Sequence, residues 1–226
     1  MQTKEDSILN RLKRFINVAP AEGGITVATN VECKTYLAYN TSAKLSKLSK
    51  DYDLVVMGTT GKHLIEKKLI GSIASYVAQH AHCPVLLVPR AHRFKGINNI
   101  VYARNWESID TLTLKSVLEL GKAFYAAIHF VHVNEVLDIM DFSLTEQEVL
   151  MELLAEDAPE IAYHIVNIDS ESPKEGIEDY AYEKEADLIV LVNRQHTFWD
   201  NLLKRSLTKE MALHSDIPLL IYHTRN

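Results

Sequence analysis

The sequence predicts an α/β fold in which parallel strands alternate with helices, and two observations carry this prediction. Short, continuously apolar runs at 54–57 and 188–192 have the character of strands buried on both faces, and helical patterns separate the successive runs. The second observation is an internal repeat, because Asp53-Leu-Val-Val-Met57 is echoed by Asp187-Leu-Ile-Val-Leu191. We therefore expect two similar units, each built on a parallel sheet.

The first copy of the repeat is the shorter one. Its predicted elements, in chain order, are a helix at 7–17, a strand at 25–31, a helix at 38–50, a strand at 54–57, a helix at 72–82 and a strand at 85–89. The first of these helices is amphipathic, with one face formed by Ile8, Leu9, Leu12, Phe15 and Ile16. The basic stretch 90–97 contains a glycine and predicts a linker.

The second copy contains five predicted strands. Its elements are strands at 100–103, 127–133, 163–168, 188–192 and 218–222, and helices at 108–123, 144–155, 173–185 and 200–214. The helix at 144–155 begins with a capping box formed by Ser143 and Glu146. Both copies end in a similar loop and strand, because the stretch from His80 through Pro84 is echoed by the stretch from His214 through Pro218.

The composition excludes several classes of protein. With 226 residues, 47% of them hydrophobic, the chain has enough apolar material for a packed core. A net charge of −6 argues against general nucleic-acid binding, and no apolar run approaches the roughly 20 residues that span a bilayer. Cys33 and Cys83 are too few for a disulfide framework and are interpreted as buried thiols. A cytoplasmic protein is expected.

A glycine motif lies between a predicted strand and a predicted helix. Gly58 and Gly61 follow the strand at 54–57, and Gly71-Ser72 stands at the start of the helix at 72–82. Glycines allow the backbone to approach a phosphate closely, and the free N–H groups of a helix N-terminus attract anions. A tight turn without a ligand is the alternative reading of two glycines alone. The spacing matches neither a P-loop nor a dinucleotide fingerprint, and it predicts a phosphate site, most simply for a nucleotide.

The chain resembles the universal stress protein family in its tandem form. The resemblance covers essentially the whole chain, and its diagnostic part is 53–89, where the glycine motif is followed by His82-Cys-Pro-Val-Leu-Leu-Val-Pro89. It implies two flavodoxin-like or HUP-like domains, each with a five-stranded parallel sheet in the order 3-2-1-4-5. It also implies ATP binding beside strands 1 and 4, where the strand order reverses.

The resemblance assigns roles to individual residues of the motif. The phosphates and the ribose would be lined by Gly58, Thr60, Gly61 and Lys62. At the start of the helix, the phosphates would meet Gly71, Ser72 and Ile73. Backbone N–H groups and a serine hydroxyl are suitable donors for phosphate oxygens. No catalytic residue and no metal ligand is predicted.

The first domain departs from the family pattern because its opening β-α-β unit is missing from this sequence. The predicted domains are therefore 1–90, a partial copy carrying the glycine motif, and 97–226, a complete copy. Without strands 1 and 2, strand 3 would be separated from strand 4. The sequence could be an incomplete version of a longer protein, the strand at 25–31 could move inward, or a second copy of the chain could supply the pairing.

The second domain keeps its strands but has lost the motif. Asn193 stands in the place of Gly58, Arg205-Ser206 in the place of Gly71-Ser72, and Asn105 replaces the family's strand-1 aspartate. Since a Cβ at a former glycine blocks close backbone approach, we expect no nucleotide here. Two tryptophans near this vacated crevice, Trp106 and Trp199, are expected to fill it or to contact a partner.

Other polar residues have simpler explanations than catalysis. The helix-end histidines His80 and His82 are expected to cap helix carbonyls, with metal binding as the lesser alternative. On a strand, His129 and His132 lie three residues apart, so they point to opposite faces and are expected in the core or at an edge. A solvated helix face is expected for Asp179, Glu183 and Glu185.

The predicted function is that of an ATP-binding stress-response regulator without robust catalysis. The alternative is an interaction or scaffold protein that no longer holds nucleotide, and slow ATP hydrolysis ranks third because the motif offers no clear general base or nucleophile. Beyond the nucleotide, the expected partners are copies of the same fold. The last strands of the repeats, at 85–89 and 218–222, are expected to pair within one chain or between chains, since edge pairing satisfies exposed backbone groups.

Overall fold

A computed structural model describes residues 32–59, 72–103, 111–135, 150–152, 154–155, 160–194 and 215–224. The chain divides into two units, residues 1–40 and 41–226. In the first unit, residues 32–40 are described and form neither helix nor strand; Lys34 and Glu32 form an ion pair there, with 2.9 Å between Nζ and Oε2. The predicted helix at 7–17 and strand at 25–31 lie outside the described residues.

The second unit alternates helices and strands as the sequence predicts. Its elements are α1 (Thr41–Leu48), a 3₁₀ turn (Ser49–Asp51), β1 (Val55–Gly58), α2 (Ser72–His80), β2 (Val85–Val88), β3 (Asn99–Ala103), α3 (Thr111–Phe124), β4 (Ala127–Glu135), β5 (Tyr163–Ser170), α4 (Pro173–Glu183), β6 (Leu188–Arg194) and β7 (Leu219–Thr224). Residues 150–152 and 154–155 are also helical. The predicted capping box and the helix at 200–214 lie outside the described residues.

Element boundaries differ from the predicted ones by a few residues. The helix predicted at 38–50 begins at Thr41, and its last turn tightens into the 3₁₀ turn. The helix predicted at 72–82 ends at His80, since the chain bends at 82–83 ahead of Pro84 and a residue before proline disfavours helical backbone. The interval 92–98 has no helix or strand, as expected of a linker.

One seven-stranded sheet joins the two copies of the repeat. Its order is β1-β2-β7-β6-β3-β4-β5, and every neighbouring pair is parallel except β2 with β7. Numbered within the second copy alone, β5-β4-β3-β6-β7 is the order 3-2-1-4-5. The α/β class and the strand order of the second copy are therefore confirmed.

The repeat is visible in equivalent hydrogen bonds as well as in sequence. In the first copy the N–H of Val55 donates to the carbonyl of Pro84 over 2.9 Å. In the second copy the N–H of Ile189 donates to the carbonyl of Pro218 over 3.0 Å. These two prolines open the last strand of each copy, so each one aligns strand 4 of its copy with strand 5.

The last strands of the two copies pair inside one molecule. β2 and β7 run antiparallel, with Val85 opposite Ile221 and Leu87 opposite Leu219. We call this junction the repeat seam. It satisfies backbone groups that would otherwise form two exposed edges, so the intramolecular form of the predicted pairing is present.

Helices cover the two faces of the sheet with separate cores. On one face, α2 and α4 pack against alternate residues of the strands, among them Leu87, Ile189 and Ile221. On the other face, α3 and the helical residues at 150–155 pack against Phe130, Val190 and their neighbours. The alternation of inward and outward side chains along each strand produces both cores from one sheet.

Glycine at position 176 is required by the packing of α4 on β4 and β5. A Cβ built on Gly176 would lie 2.9 Å from the Cβ of Ser170 and 3.2 Å from Cγ1 of Val133. We expect Gly176→Val to lower the free energy of unfolding by about 1–3 kcal/mol through overpacking, measured by urea-induced unfolding. In Gly58→Val the new Cβ would have its nearest neighbour, the Val88 carbonyl oxygen, at 4.0 Å. An equal loss in both variants would contradict the packing argument.

The surface predictions are mostly confirmed, with one correction. Asp179, Glu183 and Glu185 are exposed, as expected of a solvated helix face. Both cysteines are free thiols, and Cys83 is buried in the core. Cys33 is only of intermediate exposure, so the expectation of two buried thiols is wrong for this residue. It lies in the extended segment 32–38, where no helix or strand covers it.

Candidate functional site

The glycine motif begins at the carboxyl end of β1. Gly58 is the last residue of that strand and lies beside Val88 of β2. The next residue, Thr59, is buried, and its N–H donates to the carbonyl of Val88 over 3.1 Å. The chain therefore leaves the sheet at the edge where α/β proteins bind their ligands.

Helix α2 returns the chain to the sheet from the other end of the motif. Ser72 is its first residue, and Ile73 follows with its side chain partly exposed. Thr60, Gly61, Lys62 and Gly71 lie outside the described residues, and the placement given for Ser72 concerns its backbone. Gly58, Ser72 and Ile73 thus take the predicted positions in their elements, while the roles of all seven residues stay predictions.

Glycine at position 58 is not demanded by the fold of the described chain. Its φ does not lie in the left-handed region, where Gly96 is the glycine found among the described residues. An added Cβ would be 4.0 Å from the carbonyl oxygen of Val88 and would meet no closer atom. Open space therefore lies beside the backbone at this point, as a ligand approaching the strand end would need.

The C-terminal end of α2 is fixed by two buried serines. The hydroxyl of Ser46, in α1, donates to the carbonyl of His80, and the hydroxyl of Ser49 donates to the carbonyl of Ser46 over 2.6 Å. Ser49 also accepts the N–H of His82 over 2.8 Å. These contacts satisfy backbone groups at a helix end, so they fix the position of the helix whose other end carries Ser72.

The histidines at the end of α2 behave largely as predicted. Nδ1 of His80 lies 2.9 Å from the carbonyl oxygen of Tyr76, and the two rings stack with centroids 4.1 Å apart. The expected contact with a helix carbonyl is confirmed for His80. Across the described ranges, no group of three or more histidine, cysteine, aspartate or glutamate side chains could hold a metal ion.

The corresponding crevice of the second copy lies between β3 and β6. These strands are adjacent and parallel, and the strand order reverses at this point, as in a nucleotide-binding sheet. Asn193 lies near the end of β6 and pairs with His223 of β7. The other residues predicted to mark the eroded site, Asn105, Trp106, Trp199, Arg205 and Ser206, lie outside the described residues.

A histidine pair away from this crevice forms part of the core. His129 of β4 is 5% exposed, lies opposite His164 of β5 and stacks on it with centroids 4.7 Å apart. Nδ1 of His129 lies 2.9 Å from the hydroxyl oxygen of Tyr180 in α4. Burial lowers the pKa of His129, and the charges of His164 and Lys184 lower it further. The prediction of a core or edge histidine is confirmed.

Comparison with known proteins gives a consistent result. The universal stress protein family matches residues 47–89 and 98–223. A universal stress protein of Methanocaldococcus jannaschii is 56% identical over 41 residues, which cover 18% of this chain and 24% of that protein. A universal stress protein of Synechocystis sp. is 32% identical over 66 residues, which cover 28% of this chain and 61% of that protein. The matched part spans less than two thirds of either relative.

The fold of the chain has also been seen in a solved structure. A universal stress protein from Archaeoglobus fulgidus superimposes with a TM-score of 0.70, covering 99% of this chain and 83% of that chain. The sequence identity is 17%, so this likeness shows the fold alone. Where the chain is described, it contains no helix with the length and apolar character needed to cross a bilayer.

Proposed function

Because this chain belongs to the universal stress protein family, we propose that it is a nucleotide-binding regulator of stress responses without robust catalysis. The proposed ligand is ATP, with its phosphates held by the connection between β1 and α2. The proposed domains are those predicted from the sequence, 1–90 and 97–226, with the nucleotide in the first. A chain that binds ATP without turning it over can report nucleotide levels to a partner.

The observation that carries this proposal is the strand-to-helix connection around the glycine motif. β1 ends at Gly58 on the carboxyl edge of a parallel sheet, and α2 begins at Ser72. A nine-residue helix presents unpaired N–H groups and a partial positive charge at its first turn. The open space beside Gly58 supports the close approach of a phosphate to the backbone.

The proposed contacts follow from the chemistry of the motif. Backbone N–H groups of Gly61, Gly71 and Ile73 and the hydroxyl of Ser72 would donate to phosphate oxygens, and Lys62 would supply a positive charge. These groups bind and orient a phosphate, but none of them is a general base suited to activating water. The absence of robust catalysis in the proposal rests on this donor set.

Direct measurement of binding tests the proposal. We expect ATP to copurify with the protein or to bind on calorimetric titration. In Gly61→Val and Gly71→Val the affinity should fall at least about tenfold, since each lost charge-assisted hydrogen bond is worth about 1.5–3 kcal/mol. Wild-type protein that binds no ATP would overturn the proposal and favour the scaffold alternative.

A matched pair of serines locates the site. Ser72 and Ser206 occupy equivalent positions in the two copies of the repeat. Ser72→Ala should weaken ATP binding, whereas Ser206→Ala should leave it unchanged. If only Ser206→Ala weakens binding, the nucleotide lies in the second copy and the site is misplaced. Steady release of inorganic phosphate from ATP would contradict the proposed lack of catalysis.

A further inference from the structure

Three histidines meet where the second copy of the repeat contacts helix α2 of the first. They are His80 at the end of α2, His82 in the turn that follows, and His223 in β7, and we call them the histidine cluster. Nε2 of His223 lies 2.9 Å from the carbonyl oxygen of Ala78. A carbonyl only accepts hydrogen bonds, so Nε2 carries the proton in this contact. One ring of the second copy therefore holds the last turn of a helix in the first.

The second ring nitrogen of His223 has a different environment. Within the described part of the chain, its Nδ1 is buried and makes no hydrogen bond. The antiparallel register of the repeat seam brings Cys83 alongside His223 on one side, and β6 places Asn193 on the other, with Arg194 opposite Thr224. Protonation at Nδ1 would add a charge and a second N–H group inside this contact.

The surroundings of His223 oppose that charge. Burial lowers the pKa of His223, the backbone of Ala78 and Cys83 acts in the opposite sense, and the charges of His82 and His80 lower the pKa further. His80 and His82 are both exposed, so acid can charge them without first opening the structure. At low pH, three positive charges would accumulate at one end of α2.

The other anchor of this helix end does not respond to protons. The hydroxyls of Ser46 and Ser49 hold the backbone of His80 and His82 from the side of α1, and serine hydroxyls do not titrate in this range. Acid therefore acts on one of the two anchors. The contact that it weakens is the one joining α2 to the second copy.

We propose that the histidine cluster is a proton-operated latch between the two copies of the repeat. With His223 neutral, its ring holds the carbonyl of Ala78 and fixes the end of α2 against β7. When His223 is protonated, the buried charge and its repulsion from His80 and His82 release the helix end. Because α2 begins at Ser72, its release also changes the turn at the opposite end.

The direction of the pH dependence follows from the lowered pKa. A histidine with a folded-state pKa below its ordinary value of 6.5 stabilises the closed state fully above pH 6.5. That contribution is lost as the pH falls below 6.5 towards the folded-state pKa. At pH 5.5, one unit below the ordinary value, the equilibrium for opening should rise up to about tenfold.

Hydrogen–deuterium exchange of the whole chain without nucleotide tests the latch. The readout is the protection of the α2 amides at 77–80 relative to the β4 amides at 128–133, corrected for intrinsic exchange rates. Between pH 7.5 and pH 5.5 this ratio should fall by up to about tenfold in the wild type. In His223→Gln, which keeps a donor but cannot become charged, the ratio should be independent of pH. A wild-type ratio that does not change would overturn the proposal.

Two further variants keep the result interpretable. His129→Gln removes another buried histidine with a lowered pKa, in β4, and should leave the pH response of the ratio intact. If His223→Gln does not fold, the double change His80→Gln, His82→Gln replaces two exposed residues and should reduce the response. A response that survives in the double variant, or that disappears in His129→Gln, would contradict the role of the cluster. No nucleotide is needed, so failure of the latch would be distinct from failure of ATP binding.

Discussion

Leu87→Asp is expected to lower the free energy of unfolding by about 3–5 kcal/mol, because it places an unpaired charge inside the repeat seam. Leu87 is 0% exposed, pairs with Leu219 of β7 and packs in the core beneath α2. No carboxylate can be solvated there, so the variant must either bury an uncompensated charge or become protonated. Urea-induced unfolding followed by circular dichroism gives the change.

Val56→Asp is the matched control for the seam variant. Val56 belongs to β1 in the same sheet, and its side chain is 60% exposed. The same chemical change there should alter the free energy of unfolding by about 0.5 kcal/mol or less. Similar losses in the two variants would show that β strand formation, and not burial at the seam, determines the effect.

Phe130→Ala should cost about 3–5 kcal/mol of unfolding free energy, the range typical of a large aromatic side chain removed from a core. Phe130 is 0% exposed, in the middle of β4, and its ring meets Tyr102 of β3 edge to face with centroids 5.7 Å apart. The substitution leaves a cavity beneath α3 and removes the aromatic contact as well.

Phe94 offers the corresponding control for the core variant. It lies in the linker, is 60% exposed and also meets another ring edge to face, that of Phe124 at 6.5 Å. Phe94→Ala should therefore cost less than about 1 kcal/mol, since the aromatic contact alone is worth about 0.5–1.5 kcal/mol in well-packed pairs. A loss as large as that of Phe130→Ala would place the linker in the core and contradict the exposure.

The parts of the fold that the sequence predicts are those encoded locally. Continuous apolar runs identify the strands, and the repeated Asp-Leu and Pro stretches identify the two copies. Strand ends were less accurate because they depend on a partner. β4 and β5 pair residue for residue as far as Glu135 and Ser170, beyond the apolar stretches from which their ends were predicted.

Tertiary contacts account for what the sequence did not reveal. Ser46 and Ser49 read as ordinary polar residues of a helix, yet both are buried and hold the end of α2. Asp187 was noticed only as part of a repeat. Its carboxylate accepts the N–H groups of Asn98 at 2.7 Å and Asn99 at 3.1 Å, which fixes the start of β3 beside β6. No local pattern announces such a partner, because 88 residues separate Asp187 from Asn99.

The order of the strands has a consequence for how the chain acquires its structure during synthesis. β7 is the last strand along the described chain, yet it lies between β2 and β6. Until residues 219–224 emerge from the ribosome, β1 and β2 lack the strand that joins them to the rest of the sheet. Contacts between such distant segments form slowly, and unpaired strand edges are the usual route to aggregation. The first copy therefore waits longest for its partner, and this interval is when a chaperone would matter most.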